Sequence, residues 1–242
     1  MGRVWVVLPA YNEAENLPGL LRQLADLRWE CLHVLVVDDG SADRTHEVVK
    51  GWPDLPVQVV SHVRNLGLGR ALATGLREVL ARASPQDVVI TLDADGSHLP
   101  EQIPALADVI RQGADLAIAS RYRPGAQVHG VPVWRKGLSL AARVVLAVLF
   151  PIPGVRDYTC GYRAYRASLL RRAADRYGDR LVESQGFAAT AEILLKLKAL
   201  RPTVREVPIV LRYDLKRGRS KLPALRTILQ YLRMLLRLAT SP

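Results

Sequence analysis

The chain has 242 residues, 49% of them hydrophobic, enough for one large α/β domain with a full core and an appended C-terminal region. Its 34 Lys and Arg against 23 Asp and Glu give a net charge of +11 and a pI of about 10.1, which calls for a negative partner such as nucleic acid, anionic lipid or a phosphorylated substrate. Aromatics at 6%, with no zinc, helix-turn-helix or RNA-binding signature, argue against nucleic acid, and the two cysteines, Cys31 and Cys160, form no disulfide or metal pattern and fit buried thiols in a reducing compartment.

In chain order, Val4-Trp5-Val6-Val7-Leu8 reads as a buried strand. It stops at Pro9, unlike a secretory signal, so the chain is expected to stay in the cytoplasm. In the following Pro9-Ala10-Tyr11-Asn12-Glu13-Ala14-Glu15-Asn16, Asn12 and Glu15 have the spacing of a helix capping box. Val34-Leu35-Val36-Val37 repeats the strand and ends in Asp38-Asp39-Gly40-Ser41, before a polar helix around Arg44 to Lys50. Val57-Gln58-Val59-Val60 leads through Arg64-Asn65-Leu66-Gly67-Leu68-Gly69 into a helix over 70–82; the third glycine of a dinucleotide fingerprint is missing, so the Gly pair predicts a tight turn into a helix. Further strands are predicted over Val88 to Leu92 and Leu116 to Ser120, the second delivering Arg121. Strands without polar alternation, separated by helices, predict a parallel sheet covered on both faces. Ligands of such sheets bind beyond the strand carboxyl ends, where all these acidic and basic groups fall.

The run Ile90-Thr91-Leu92 ends in Asp93-Ala94-Asp95-Gly96. On an extended backbone, residues i and i+2 project to one side, so Asp93 and Asp95 can aim two carboxylates at one point. Mg²⁺ or Mn²⁺ suits such a pair. Mg²⁺ is commonly held by one or two carboxylates with waters and substrate phosphates completing its shell, which predicts a nucleotide-diphosphate ligand.

Two segments suit a membrane surface. In 223–242, Leu225, Ile228, Leu229, Leu232, Leu235 and Leu236 share one helical face, and Arg226, Gln230, Arg233 and Arg237 another. Residues 136–150 carry Lys136, Ser139 and Arg143 on a polar stripe beside Leu138, Val145, Leu146 and Leu149. Neither approaches the roughly 20 apolar residues needed to cross a bilayer, so each would lie in the interface or pack on protein, either the chain's own core or a second subunit.

Motifs in order along almost the whole chain now add up: Leu8-Pro9-Ala10-Tyr11-Asn12-Glu13, Val36-Val37-Asp38-Asp39-Gly40-Ser41, Asn65-Leu66-Gly67-Leu68-Gly69, Asp93-Ala94-Asp95, Ser120-Arg121-Tyr122, Asp157-Tyr158-Thr159-Cys160-Gly161-Tyr162-Arg163, and Glu206-Val207-Pro208 followed by Gly218-Arg219-Ser220-Lys221. In these the chain resembles the family 2 glycosyltransferases, and within them the dolichol- or polyprenol-phosphate mannose synthases. The resemblance implies a GT-A fold, an α/β architecture with a mostly parallel central sheet flanked by helices, over residues 1–222, with a C-terminal amphipathic basic helix and tail over 223–242. Some relatives carry C-terminal transmembrane helices, so peripheral attachment to the cytoplasmic face, or a separate membrane-anchoring protein, is expected.

The resemblance also implies roles. Pro9, Tyr11, Glu13, Val37 and Asp39 would hold the nucleoside; Asp93 and Ala94 would contact nucleotide and sugar; Asp95, with Asp93 and with Ser97 through its hydroxyl or a water, would hold Mg²⁺ or Mn²⁺. The implied reaction moves a hexose, with inversion, from GDP-mannose or else a UDP-sugar to a polyprenyl phosphate. Arg121, Arg135 and Lys221 are the cations expected around that phosphate, because guanidinium groups bind phosphate oxygens bidentately. A further family arginine falls on Arg212, Lys216 or Arg217. Asp157 would orient the acceptor loop or pair with an arginine, and would become the first candidate for a general base if the acceptor were a hydroxyl of a glycolipid or polysaccharide. Glu192 is expected as a buried ion-pair partner. A non-catalytic nucleotide-sugar or lipid-binding regulator is the alternative from another class.

Overall fold

The computed structural model describes residues 2–29, 31–52, 55–217 and 224–240. Strand β1 (Val4–Ala10) is nearly continuous in β-branched and aliphatic residues, and so is β2 (Leu32–Asp38); both are buried on both faces, as strands in the middle of a covered parallel sheet must be. Between them α1 (Leu17–Asp26) presents Leu17, Leu20, Leu21 and Leu24 at helical spacing to the sheet. The short α2 (Thr45–Lys50), β3 (Val57–Ser61), α3 (Leu68–Leu80) and β4 (Val88–Thr91) continue the alternation, followed by α4 (Ile103–Arg111) and β5 (Leu116–Ser120). The expected strands and helices of the N-terminal half are therefore present.

The expected capping box is not formed. Asn12 adopts φ 52°, its N–H donates to Ser41 Oγ and its Oδ1 accepts from Ala42 N, so it ties the loop after β1 to the loop after β2. The helix starts four residues later, at Leu17, where Pro18 occupies the first turn and supplies the preset backbone angle.

The second half completes the sheet in an order that sequence periodicity does not reveal. After β6 (Gln127–His129) and α5 (Val133–Leu149), β7 (Arg163–Arg166) inserts between β4 and β5, antiparallel to both. Then follow α6 (Ala167–Tyr177), α7 (Ala188–Lys198), β8 (Val204–Pro208), β9 (Val210–Arg212) and α8 (Ala224–Thr240). The seven-stranded order is β3-β2-β1-β4-β7-β5-β8, and β6 and β9 form a separate parallel pair. The sheet is thus mostly parallel, with β1 and β4 at its centre and their carboxyl ends opening onto the site.

Helix α7 is apolar nearly all round and buried. Its Glu192, 1% exposed, accepts from Lys196 Nζ, from Arg237 Nη2 on α8 and from the backbone N–H groups of Glu183 and Ser184, which is the ion-pair role expected for it. Residues 224–240, expected as an appended helix, are part of the cavity walls, with Met234 fully buried. Cys160 is buried as expected, whereas Cys31 is only half-buried.

Candidate functional site

Two cavities meet beyond the carboxyl ends of β1, β2 and β4. The smaller, of about 370 Å³, is lined by Pro9, Tyr11, Glu13, Asp39, Ala94 and the Gly67 turn. The larger, of about 670 Å³, runs between α5 and α8. Asp93, Asp95 and Lys216, with Phe187 and Thr227, line both and so stand at their junction.

In the smaller cavity, Asp39 is held by donors of the chain itself: Oδ1 takes His62 Nδ1 and Leu66 N, and Oδ2 takes Gly67 N. A carboxylate has about four acceptor sites, so Oδ2 retains capacity for a ligand N–H or O–H. Gly67 has φ 93°, and a Cβ at Gly69 would lie 1.7 Å from Ser184 O, so the Gly-x-Gly turn serves both a left-handed conformation and a close approach to the 184–186 backbone that closes the cavity. The predicted tight turn is present, with this second purpose added. The Val37 side chain is fully buried against the α3 backbone at Gly75 and does not line the cavity.

At the junction, Asp95 Oδ1 accepts from Ser97 N at 3.0 Å and Ser97 Oγ at 2.6 Å, and Oδ2 lies 2.5 Å from Lys216 Nζ. Burial pushes the Asp95 carboxyl up, but the Lys216 ammonium and the Ser97 hydroxyl outweigh it and hold the group ionised below its ordinary range. Asp93 is pushed up, by burial first, with the neighbouring Asp95 charge adding to it against the pull of the Lys216 and Arg121 charges. Two carboxylates of which one resists ionisation make a site that gains from a cation. The oxygen donor set suits a hard divalent ion, and the ammonium already paired with Asp95 shows that positive charge is accommodated there. Among the described residues no group of three or more His, Cys, Asp or Glu side chains could hold a metal, so ligand oxygens would have to complete its shell. Ser97 is 3% exposed and its hydroxyl is engaged with Asp95, which makes it an orienting group for that carboxylate.

Arg121 lines the larger cavity. Asp157, with no exposed surface, accepts from Arg121 N, Nε and Nη2 and from the backbone N–H groups of Thr159 and Cys160. Burial would raise its carboxyl, but the Arg121 guanidinium overrides that and holds it below the usual range. Glu206 takes the Asp157 and Arg156 N–H groups on Oε1, fixing the loop from below. Arg121 also donates to Thr159 Oγ1 and reaches the larger cavity. The Cys160 thiol, pushed up to about 12 by burial, stays protonated.

Arg135 lines the same cavity, its Nη1 donating to Tyr213 Oη. Arg212 instead forms a partly exposed pair with Asp214 and does not line either cavity, and Arg217 meets Asn16 through its backbone. Of the three residues the sequence left open, Lys216 is the one whose side chain enters the junction. Lys221 lies outside the described residues. His98 and Glu206 were not assigned roles by sequence; His98 sits five residues after Asp93, and no short motif marks an imidazole in that turn as a ligand.

The larger cavity is walled by Leu138, Val145, Leu146, Ile228, Leu232 and Leu235 from α5 and α8. On the outside, α5 exposes Trp134, Val144, Val148 and Leu149, and α8 exposes Leu225, Leu229 and Leu236. No helix among the described residues is long and apolar enough to cross a membrane.

The chain is 38% identical over 222 residues to an undecaprenyl-phosphate mannosyltransferase of Micrococcus luteus, covering 91% of this chain and 87% of the relative. It is 37% identical to a polyprenol monophosphomannose synthase of Mycolicibacterium smegmatis, covering 86% and 76%, and 35% identical to a dolichol-phosphate mannosyltransferase of Pyrococcus furiosus, covering 98% of this chain and 63% of that longer protein. Among solved structures, the glucosyl-3-phosphoglycerate synthase of Mycobacterium tuberculosis, crystallised with Mn²⁺, UDP and glucosyl-3-phosphoglycerate, superimposes with a TM-score of 0.69 at 24% identity, covering 100% of this chain and 81% of that one. The fold is the GT-A fold. Residues 5–173 match the family described as glycosyl transferase family 2, and the chain belongs to that family.

Proposed function

We propose that the protein is an inverting mannosyltransferase that moves mannose from GDP-mannose to the phosphate of a polyprenyl phosphate at the cytoplasmic face of a membrane. The relatives named above act, by their names, on undecaprenyl, polyprenol and dolichol phosphates. The observation that carries the reading is the state of Asp157: buried, saturated with donors and paired with Arg121, it has no capacity left to remove a proton from an acceptor hydroxyl. Asp157 does not itself line the larger cavity; Asp93 and Asp95 are the carboxylates that do among the described residues, and both belong to the donor junction. What the cavity offers is guanidinium and ammonium groups at one end and aliphatic walls beyond them, which fits an acceptor that is already anionic and carries an apolar chain.

The smaller cavity would take the nucleoside, with Tyr11 beside the base, Glu13 and Asp39 as acidic partners, and Pro9 and Ala94 shaping the walls. Asp93 and Asp95 would hold Mg²⁺ or Mn²⁺, which when bound supplies Lewis-acid stabilisation of charge on the departing diphosphate. Arg121, Arg135 and Lys216 would orient the acceptor phosphate so that one of its oxygens attacks the sugar C1 as the bond from C1 to the nucleoside diphosphate breaks. The electron pair leaves on the diphosphate oxygen, and an α-linked donor gives a β-linked product. Exposed apolar residues of α5 and α8, flanked by Lys136, Arg143, Arg226 and Arg233, would rest in the headgroup region, with or without a separate anchoring protein.

The test offers the purified protein a short polyprenyl phosphate, the matching polyprenol and a glycolipid hydroxyl acceptor. Transfer confined to the phosphate supports the reading. Transfer to a hydroxyl acceptor overturns it, and donor binding without turnover on any acceptor identifies a binding protein.

A further inference from the structure

The turn that carries Asp93 and Asp95 is held by an imidazole. His98 Nδ1 accepts the Asp93 backbone N–H at 3.1 Å, and the ring stacks on Tyr162 with centroids 5.1 Å apart. Tyr162 is fully buried and its hydroxyl donates to Leu99 O. The backbone is pinned as well, since Arg212 N donates to Ser97 O and His98 bridges to Leu211. A ring nitrogen that accepts a hydrogen bond carries no proton, so the network assigns the proton of the neutral ring to Nε2.

His98 is 5% exposed, lines the larger cavity and does not line the smaller one. Its Nε2 has no hydrogen-bond partner among the described residues and is not sealed in by protein atoms. A donor held this rigidly and left open to a site is satisfied by what the site binds. The charged groups that share the cavity lining with it are the Asp93 and Asp95 carboxylates and the cations Arg121, Arg135 and Lys216, the last three supplying the groups that would bind an anion.

We propose that His98 is a substrate-contacting residue: its Nε2–H donates to an oxygen of the acceptor phosphate while its Nδ1 fixes the Asp93 turn. The inference rests on the phosphate-acceptor reading given above. It adds a neutral, directional donor to the cations that orient the phosphate, engaging a further oxygen and narrowing the rotation that decides which oxygen faces the sugar C1.

The experiment compares His98→Asn and His98→Gln with the wild type. The Asn carbonyl stands in for Nδ1 and keeps the Asp93 N–H bonded, but removes the Nε2 donor; the longer Gln places an amide N–H near the Nε2 position. The expected result for His98→Asn is a kcat/KM for short polyprenyl phosphate lower by about tenfold to a hundredfold, the range for losing a hydrogen bond to a charged group. Its affinity for GDP with Mn²⁺ should stay within about twofold of wild type, whereas His98→Gln, which keeps a donor near Nε2 but leaves the Asp93 N–H without its acceptor, should weaken GDP binding more than His98→Asn does. Parallel loss of GDP affinity in His98→Asn, or an unchanged kcat/KM for short polyprenyl phosphate in that variant, would overturn the proposal in favour of a purely structural histidine. A second readout is independent of turnover: ¹⁵N spectra of histidine-labelled full chain should show Nε2 protonated, and short polyprenyl phosphate should shift that resonance. An Nδ1–H tautomer, or a resonance moved by GDP-mannose alone, would contradict it. If the wild type transfers nothing to the lipid phosphate, the acceptor reading fails on that assay, and the spectra still decide His98 separately.

Discussion

Lys216 Nζ lies 2.5 Å from Asp95 Oδ2, so a cation from the segment after β9 is bonded to the carboxylate best placed to hold a divalent ion. The same Lys216 lines both cavities, and the next residue is strapped to the N-terminal half, with Arg217 N donating to Asn16 Oδ1. Binding of a divalent ion at Asp95 therefore has to displace or repel an ammonium, and under the proposed function a displaced ammonium would meet the donor diphosphate at the junction.

The first prediction follows from that competition. Lys216→Met should tighten Mn²⁺ binding in the absence of donor by roughly tenfold, the order of one charge-pair interaction at a partly exposed site. Electron paramagnetic resonance of free Mn²⁺ measures it. In the same variant kcat for transfer should fall, because the ammonium is missing when the phosphates arrive; weaker Mn²⁺ binding together with unchanged turnover would contradict the account.

Asp157→Asn tests the buried pair. Removing the charge leaves the Arg121 guanidinium facing a neutral amide in a site where Asp157 has no exposure, and stability should drop by about 3 kcal/mol, at the low end for a broken buried pair because Arg121 reaches the cavity. Urea unfolding reports it. The pH dependence has a definite sign. The folded-state value of Asp157 is depressed, so its contribution is fully present above the ordinary aspartate value of about 3.9 and is lost as pH falls through the lower folded value. Wild type should therefore lose stability in that acid window more steeply than Asp157→Asn.

Gly69→Ala should cost about 2 kcal/mol and weaken nucleotide binding together, since the added Cβ would fall 1.7 Å from Ser184 O and must push the 184–186 backbone away from the smaller cavity. Thermal unfolding and GDP titration read the two effects. A stability loss with unchanged nucleotide affinity would separate that backbone from the site.

Val148→Glu on α5 and Leu229→Glu on α8 place a charge on surfaces that are 73% and 45% exposed. Each should weaken binding to anionic phospholipid vesicles by about tenfold and leave folding intact, because the side chains meet solvent and not core. Sedimentation with vesicles measures it; unchanged binding in both variants would remove these helices from the membrane contact.

Much of this arrangement was legible from residue type and spacing. The β1, β2 and β4 strands announce themselves as uninterrupted aliphatic runs because both their faces are covered, and the carboxylates at their ends mark the ligand edge for the same topological reason. Strand β7 was not legible: Arg163 to Arg166 has no apolar run, and its place between β4 and β5 depends on long-range pairing. The Asn12-x-x-Glu15 spacing misled because Asn12 finds better partners in Ser41 and Ala42, across a loop no local pattern encodes. Val37 was carried to the nucleoside pocket by its motif, yet its side chain is fully buried against Gly75 of α3. His98 and Glu206 escaped because each acts by holding a backbone, and hydrogen bonds to backbone N–H groups leave no trace in a one-dimensional pattern.

The most direct test of the central claim is transfer of labelled mannose from GDP-mannose to a short polyprenyl phosphate in detergent with Mn²⁺, comparing wild type with Asp95→Ala and with UDP-glucose as a second donor. The account predicts label in the lipid phase from GDP-mannose, dependent on the cation and lowered by about a thousandfold in Asp95→Ala, the scale of a lost electrostatic contribution to the transition state. Lipid-phase label that survives both chelation and Asp95→Ala, or that arises from UDP-glucose alone, would contradict it.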